Sequence, residues 1–255
     1  MIIFVAGMPR AGSMWTYNVV RAIFETKNIL VLPEIIPEDE KNLIKSALSS
    51  EQKENEVYCI KTHLVLMSPF ATKHEVKIIS NIRDVRDACL SYMRFMHVDF
   101  EVGVQAMVRM MRTTDYYLTT FGDNLLCVRF EDLTNNPLNA LERICVFLKI
   151  DLSNGEKKEI LRKFSKPNIQ KKLRDMSKIK IDKNGQIEGV EEKLKFSSVR
   201  NLDGTYRVFE KNTAFQSNHI TSTKDGEWKK QFDKSRVDQL NKLSKEWLFK
   251  YGYKV

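Results

Sequence analysis

Short apolar runs alternate with amphipathic stretches along the first 150 residues. Ile2–Ala6 is wholly apolar and predicts a strand. Residues 57–60 predict a second strand, ending in Lys61-Thr62-His63. Val76–Ile82 predicts a third, ending at Arg83, and residues 125–130 a fourth, closing with Glu131-Asp132. Between them the period changes to that of a helix. In residues 14–27, Trp15, Val19 and Ile23 recur at i, i+4, as do Val20 and Phe24, with Ser13 placed to cap the helix. After Arg83, the residues Val85, Ala88, Cys89, Tyr92, Phe95 and Met96 share one face. Asn135-Asn136-Pro137 opens another helix, with proline at its first position and Leu138, Leu141, Ile144, Cys145 and Leu148 inward. Residues 234–251 turn Val237, Leu240, Leu243, Trp247 and Tyr251 to the core, and Gly252 stops that helix.

Apolar strands separated by helices imply a parallel sheet covered on both faces. The fold class expected is therefore α/β: a P-loop-like three-layer fold with a central parallel sheet flanked by helices, in one domain over residues 1–255. From residue 154 to 204 charges dominate and the pattern weakens, with loop character at 178–189. This segment reads as a lid or acceptor-side excursion, or as a surface insertion. In open parallel sheets, ligands bind at the carboxyl ends of the strands. Arg10, Lys61, His63 and Arg83 fall just past predicted strand ends, so distant segments bring four basic groups to one edge.

The run Gly7-Met8-Pro9-Arg10-Ala11-Gly12-Ser13 links the first strand to the first helix. Its glycines have P-loop spacing, yet Ser13 and Met14 stand where a P-loop requires Lys and then Ser or Thr. The nearby cation is Arg10, inside the loop. Such a loop holds an anion on backbone N–H groups at a helix N-terminus, without a lysine–magnesium apparatus.

Composition narrows the ligand. Lys plus Arg is 42 against 33 for Asp plus Glu, a net charge of +9. The basic residues are spread along the chain, which favours an anionic ligand pocket and a solvated surface over a nucleic-acid arm. Cys59, Cys89, Cys127 and Cys145 lie in apolar patterns without metal spacing and read as reduced buried thiols of a cytoplasmic protein. His74, His97 and His219 show no metal spacing either, and no metal is expected. The N-terminus does not read as a signal peptide, and no apolar run reaches the ~18 residues of a membrane span.

Taken together these residues resemble the sulfotransferases that use 3′-phosphoadenosine-5′-phosphosulfate (PAPS). The family's 5′-phosphosulfate loop reads Pro-[Lys/Arg]-Ser-Gly-Thr-Thr-Trp; here it is Pro9-Arg10-Ala11-Gly12-Ser13-Met14-Trp15. The family's Lys-Thr-His motif stands intact at Lys61-Thr62-His63. An Arg at a strand end with a Ser eight residues on, the 3′-phosphate motif, is matched by Arg83 and Ser91. Phe130-Glu131-Asp132-Leu133 stands for Tyr-Glu-Asp-Leu, and Gly226-Glu227-Trp228-Lys229 for Gly-Asp-Trp-Lys. Five landmarks occur in the family's order.

The resemblance implies direct in-line transfer of a sulfuryl group from PAPS to a hydroxyl or amine of a small molecule, leaving 3′,5′-ADP. It implies His63 as general base, with Lys61 and Arg10 meeting charge on the leaving phosphate. Arg10, Ala11, Gly12, Ser13, Met14 and Trp15 would line the cofactor, Trp15 stacking on the adenine or serving as core. Arg83 and Ser91 would hold the 3′-phosphate, and Phe130 an apolar surface near the adenine. Thr221-Ser222-Thr223-Lys224 stands where the family has its Arg-Lys-Gly clamp, with Ser222, Thr223 and Lys224 expected at the 3′-phosphate, and Ala11 and Met14 remove hydroxyls from the loop. The chemistry of the residues agrees. A histidine with a reference pKa of ~6.5 suits proton removal near neutral pH. A sulfuryl group carries less charge than a phosphoryl group, so transfer needs less help from a metal.

The acceptor is less defined. An acidic stretch with Glu34, Glu38 and Glu40 sets a cationic acceptor beside a plain solvated loop. A nucleic acid or a membrane is not expected as partner. The competing readings are a P-loop kinase and a non-catalytic nucleotide- or nucleic-acid-binding protein.

Overall fold

All five residues of strand β1 (Ile2–Ala6) are buried, which is what an unbroken apolar run achieves at the centre of a sheet. The computed structural model describes residues 1–37, 39–51, 53–66, 74–201, 203–217 and 225–255. After β1 come α1 (Ser13–Thr26), β2 (Leu30–Leu32), α2 (Glu40–Ser49), β3 (Glu56–Thr62) and β4 (Val76–Ile82). Then follow α3 (Val85–Met96), α4 (Phe100–Phe121), β5 (Leu125–Arg129), α5 (Phe130–Asn135) and α6 (Pro137–Leu148). The chain continues through α7 (Asn154–Lys163), α8 (Lys166–Met176), α9 (Val190–Lys195), β6 (Phe196–Arg200) and β7 (Tyr206–Glu210). It ends in α10 (Trp228–Gln231) and α11 (Lys234–Lys250).

The first five strands form one sheet in the order β2-β3-β1-β4-β5, and every neighbouring pair is parallel. Alternation along β1 divides the core in two. Ile3 and Val5 pack with α1 and α6, a layer extended by Ile160 of α7 and Leu173 of α8. Ile2, Phe4 and Ala6 pack on the other face with Ala47 of α2 and Tyr117 of α4. Helices α3, α4 and α11 form a further cluster through Cys89, Met107 and Leu248. This is the expected three-layer α/β fold. The hairpin β6–β7 stands apart from the main sheet.

Several local expectations are corrected. Gly12, not Ser13, is the N-cap of α1, and no side chain caps that helix. Lys61 and Thr62 lie within β3 rather than past it. Phe130 begins α5 instead of ending β5, because the chain turns at Arg129. Leu138 and Leu243 are exposed on α6 and α11, their faces rotated away from the core. The charged stretch 154–204 contains α7, α8 and α9 among the described residues, of which α7 and α8 each contribute one narrow apolar stripe to the core. Among the described residues no helix is long and apolar enough to cross a membrane.

Candidate functional site

The loop after β1 is shaped by close approach to β4. A Cβ on Gly7 would stand 2.3 Å from the Asn81 backbone nitrogen, and Met8 N donates to the Asn81 carbonyl at 2.8 Å. Arg10 and Gly12 have positive φ, 67° and 88°. That is unusual for arginine and marks a backbone held by its surroundings. A Cβ on Gly12 would meet Leu133 of α5 at 2.6 Å. Left-handed residues alternating with ordinary ones turn successive N–H groups to one side. They lead into the uncapped N-terminus of α1, whose first turn holds no acidic residue. The first N–H groups of that 14-residue helix therefore face an anion-binding position.

His63 lies beside this loop. Its Nδ1 is 3.0 Å from the Gly7 carbonyl oxygen, and its Nε2 is 3.0 Å from Lys61 Nζ. A carbonyl only accepts and an ammonium only donates, so Nδ1 carries the hydrogen and Nε2 keeps its lone pair. Desolvation, then the charges of Lys61 and Arg10, hold His63 well below the usual histidine range, against the Gly7 carbonyl. Lys61 is lowered to about 8 by burial, with Glu40 opposing and Arg10 adding to the shift. The segment past His63 is tied down by Tyr117, whose hydroxyl donates to the Leu64 carbonyl at 3.0 Å and accepts from Leu66 N at 3.1 Å.

On the other side of β1, Arg10 Nε donates to Ser91 Oγ at 3.0 Å, and its guanidinium lies over the Phe95 ring. Arg83, 2% exposed, donates to the Arg10 carbonyl at 3.3 Å and to Asp225 at 3.2 Å. It stacks on Phe130 at 4.0 Å, and its Nε is buried without a hydrogen-bond partner among the described residues. Burial, followed by the charges of Arg83 and Arg207, lowers Arg10 to about 9, which still leaves it charged at neutral pH. Converging cations that repel one another suit an anion.

Helix α3 organises this side. Asp84 caps it, and its N–H donates to Glu131. Asp87, buried within it, accepts from Gly226 N at 2.6 Å and Trp228 N at 3.3 Å. The Gly226-Glu227-Trp228 landmark is thereby docked against α3, with Asp225 brought to Arg83.

The candidate residues thus gather at the carboxyl edge of β1, β3 and β4. Lys61 and His63 sit on one side of the loop, and Arg10, Arg83 and Ser91 on the other. Ala11 and Met14 are buried in the core, as is most of Ser13; the Ala11 amide donates to the Met8 carbonyl at 3.3 Å, leaving the amides of Ser13 and Met14 as donors at the helix start. Trp15 packs, partly buried, against the core. Phe130 presents its ring to Arg83. Of the acidic stretch, Glu40 is the member that influences Lys61. Ser222, Thr223 and Lys224 lie outside the described residues, as does Glu38. Sequence reasoning missed Arg207, Asp87, Tyr117 and Asp225. Asp87 follows Arg83 in the recognised motif and could have been read as an anchor; Arg207 carries no local signal.

Residues 2–198 match the family model described as the Sulfotransferase domain. A curated relative, a flavonol sulfotransferase-like protein of Flaveria bidentis, is 19% identical over 281 residues, covering 96% of this chain and 81% of its own. A mouse sulfotransferase solved with PAP has a similar structure, with a TM-score of 0.65 at 16% identity, covering 96% of this chain and 83% of that one. Retinol dehydratase in a complex with retinol and PAP is also similar, with a TM-score of 0.59 at 18% identity, covering 97% and 81%. At these identities the structural likeness is one of fold.

Proposed function

The chain belongs to the sulfotransferase domain family, and from that premise we propose that it moves a sulfuryl group from PAPS to a hydroxyl or amine of a small molecule. The observation that carries this reading is the cation cluster of Arg10, Arg83 and Lys61 around an uncapped helix N-terminus, with His63 beside it. A nucleotide bearing two separate anionic groups fits such a site. The amides of residues 12–15 and Arg10 would hold its 5′ end, and Arg83 and Ser91 its 3′-phosphate. Arg83 Nε and the open helix terminus supply donors with no side-chain partner among the described residues. Trp15 and Phe130 would offer aromatic surfaces to a base placed there. Similar proteins solved with PAP and retinol support a nucleotide donor and a small acceptor.

When bound, PAPS supplies the sulfuryl group. Its sulfur–oxygen bond to phosphate breaks as a bond to the acceptor oxygen or nitrogen forms. Arg10 and the loop amides stabilise charge on the leaving phosphate. His63 takes the acceptor's proton at Nε2. Its Nδ1–H is occupied by Gly7, which fixes the tautomer that leaves Nε2 basic. Lys61 covers Nε2 and must turn away before that nitrogen can accept a proton. In turning, its ammonium becomes available to the leaving group.

Calorimetry with 3′,5′-ADP and with ATP–magnesium, followed by PAPS with acceptor mixtures and mass spectrometry, tests the reading. Binding of 3′,5′-ADP and products heavier by one SO₃ are expected. Tight ATP–magnesium binding with no affinity for 3′,5′-ADP would overturn it. His63→Ala should abolish turnover and leave 3′,5′-ADP binding nearly intact.

A further inference from the structure

Arg207 of β7 reaches the same cation cluster from a part of the chain that carries no recognised motif. In the hairpin, Arg207 pairs with Val199 across the two strands. The hairpin turn lies against α3, where Asp203 Oδ2 is 3.5 Å from Nδ1 of His97, the residue that ends that helix. The Arg207 guanidinium lies 4.8 Å from the centroid of Phe95, the same ring that carries Arg10 at 4.3 Å. Two cations thus contact the same aromatic ring.

What surrounds Arg207 is as informative as its position. Arg83, Arg86 and Arg94 each form an ion pair, with Asp225, Asp84 and Glu227. Among the described residues, Arg207 forms none. Its Nη1 donates to the neutral Asn201 side chain, and its Nε is buried with no hydrogen-bond partner. Its charge also adds to the repulsion that lowers Arg10. Holding a half-buried guanidinium within reach of another's charge, with no acid paired to it among the described residues, costs stability that a bound anion would offset.

We propose that Arg207 is an anion-binding residue of this site, delivered by the β6–β7 hairpin, so that the hairpin closes over the phosphate-bearing end of the donor. The anion-binding role stands on the cluster itself; the identity of the anion as a nucleotide phosphate rests on the function proposed above. With residues 221–224 lacking the family's Arg-Lys-Gly, Arg207 supplies a guanidinium from a different element. Asn201 is then a positioning residue, fixing one end of the fork.

Two probes separate the claims. Inorganic sulfate and 3′,5′-ADP are titrated calorimetrically against the full chain and its Arg207→Ala and Arg207→Gln variants. Arg207→Gln keeps a polar stem for Asn201 and Phe95 if the alanine variant does not fold. Both variants should weaken sulfate and 3′,5′-ADP by about ten- to a hundredfold, the value of charge-assisted hydrogen bonds. Asn201→Ala should weaken them less. Unchanged affinity for both probes in either folded variant overturns the proposal. Loss of sulfate binding in the variants, with no 3′,5′-ADP binding even in the unaltered protein, supports the anion role and sinks the nucleotide reading. Failure of the unaltered protein to bind either probe overturns both.

Discussion

The charge on Lys61 should set the alkaline limit of activity. Burial lowers its pKa to about 8, Glu40 pulling it up and Arg10 pushing it down. The ammonium is roughly nine-tenths protonated at pH 7 and one-tenth at pH 9, if a single group titrates. The side chain is needed charged for the leaving phosphate, so kcat/KM for the donor should fall about tenfold per pH unit above 8. His63 sets the acid side. Desolvation and the Lys61 charge depress its pKa, so Nε2 is already neutral at pH 6 to 7 and the acid limb lies below the ordinary histidine value of ~6.5. Two variants separate Lys61 from other titrating groups. Lys61→Arg keeps its charge far above pH 8, so the descending limb should move up from about 8 to about 9, where Arg10 loses its charge, whatever the rate at pH 7. Glu40→Gln removes the carboxylate that raises Lys61, so the limb should move to lower pH. A steady-state pH profile with purified donor checks all three. A limb that persists at the same pH in Lys61→Arg, or does not move in Glu40→Gln, refutes the assignment.

Three further substitutions probe the framework. Gly7→Ala forces a Cβ to within 2.3 Å of the Asn81 backbone. It should cost about 3 kcal/mol of stability by chemical denaturation, because neither strand end can yield without losing the Met8–Asn81 bond. Asp87→Ala leaves the Gly226 and Trp228 N–H groups unpaired, at about 2–4 kcal/mol together. It should also weaken 3′,5′-ADP by releasing the segment beside Arg83, as calorimetry would detect. Tyr117→Phe loses the hydroxyl that holds Leu64 and Leu66. It should lower the unfolding free energy by about 1–3 kcal/mol and raise the acceptor KM more than the donor KM.

The parts of this fold that the chain announces are those set by local period. Ile2–Ala6 and Val76–Ile82 are strands with the predicted bounds because a buried parallel strand needs nothing beyond an apolar run. Pro137 opens α6 for an equally local reason. The Lys61-Thr62-His63 and Arg83-to-Ser91 spacings were legible too, since the first lies at the end of one strand and the second spans one strand-to-helix unit. What could not be read depends on other segments. Gly12 displaces Ser13 as cap because the left-handed loop packs on Leu133, more than a hundred residues away. Leu138 and Leu243 carry the helical period but sit at the rim of their faces, where neighbouring helices do not reach. The long helix α4 buries Phe100, Val104, Met107 and Met111 at helical spacing, yet its methionines and threonines blur the stripe. Arg207 was invisible, since nothing within the hairpin sequence indicates that its turn will lie on α3.

One short loop couples the two halves of the proposed chemistry through its backbone. The Gly7 carbonyl accepts from His63 Nδ1, which fixes the basic nitrogen. Three residues on, the Arg10 carbonyl accepts from Arg83, which orients the cluster suited to a phosphate. The Arg10 side chain turns the other way, to Ser91 and Phe95, because the residue's left-handed backbone separates its carbonyl from its side chain. A shift at residues 7–12 would therefore disturb proton removal and anion binding together. Gly12→Ala is the sharper probe of this coupling. Its φ of 88° is costly for alanine, and the clash it meets is with a movable Leu133 side chain. The strand junction at Gly7 is left untouched. The variant should remain folded while donor affinity and the acid limb of the pH profile change in the same protein. A change in one without the other would show that the loop does not join them.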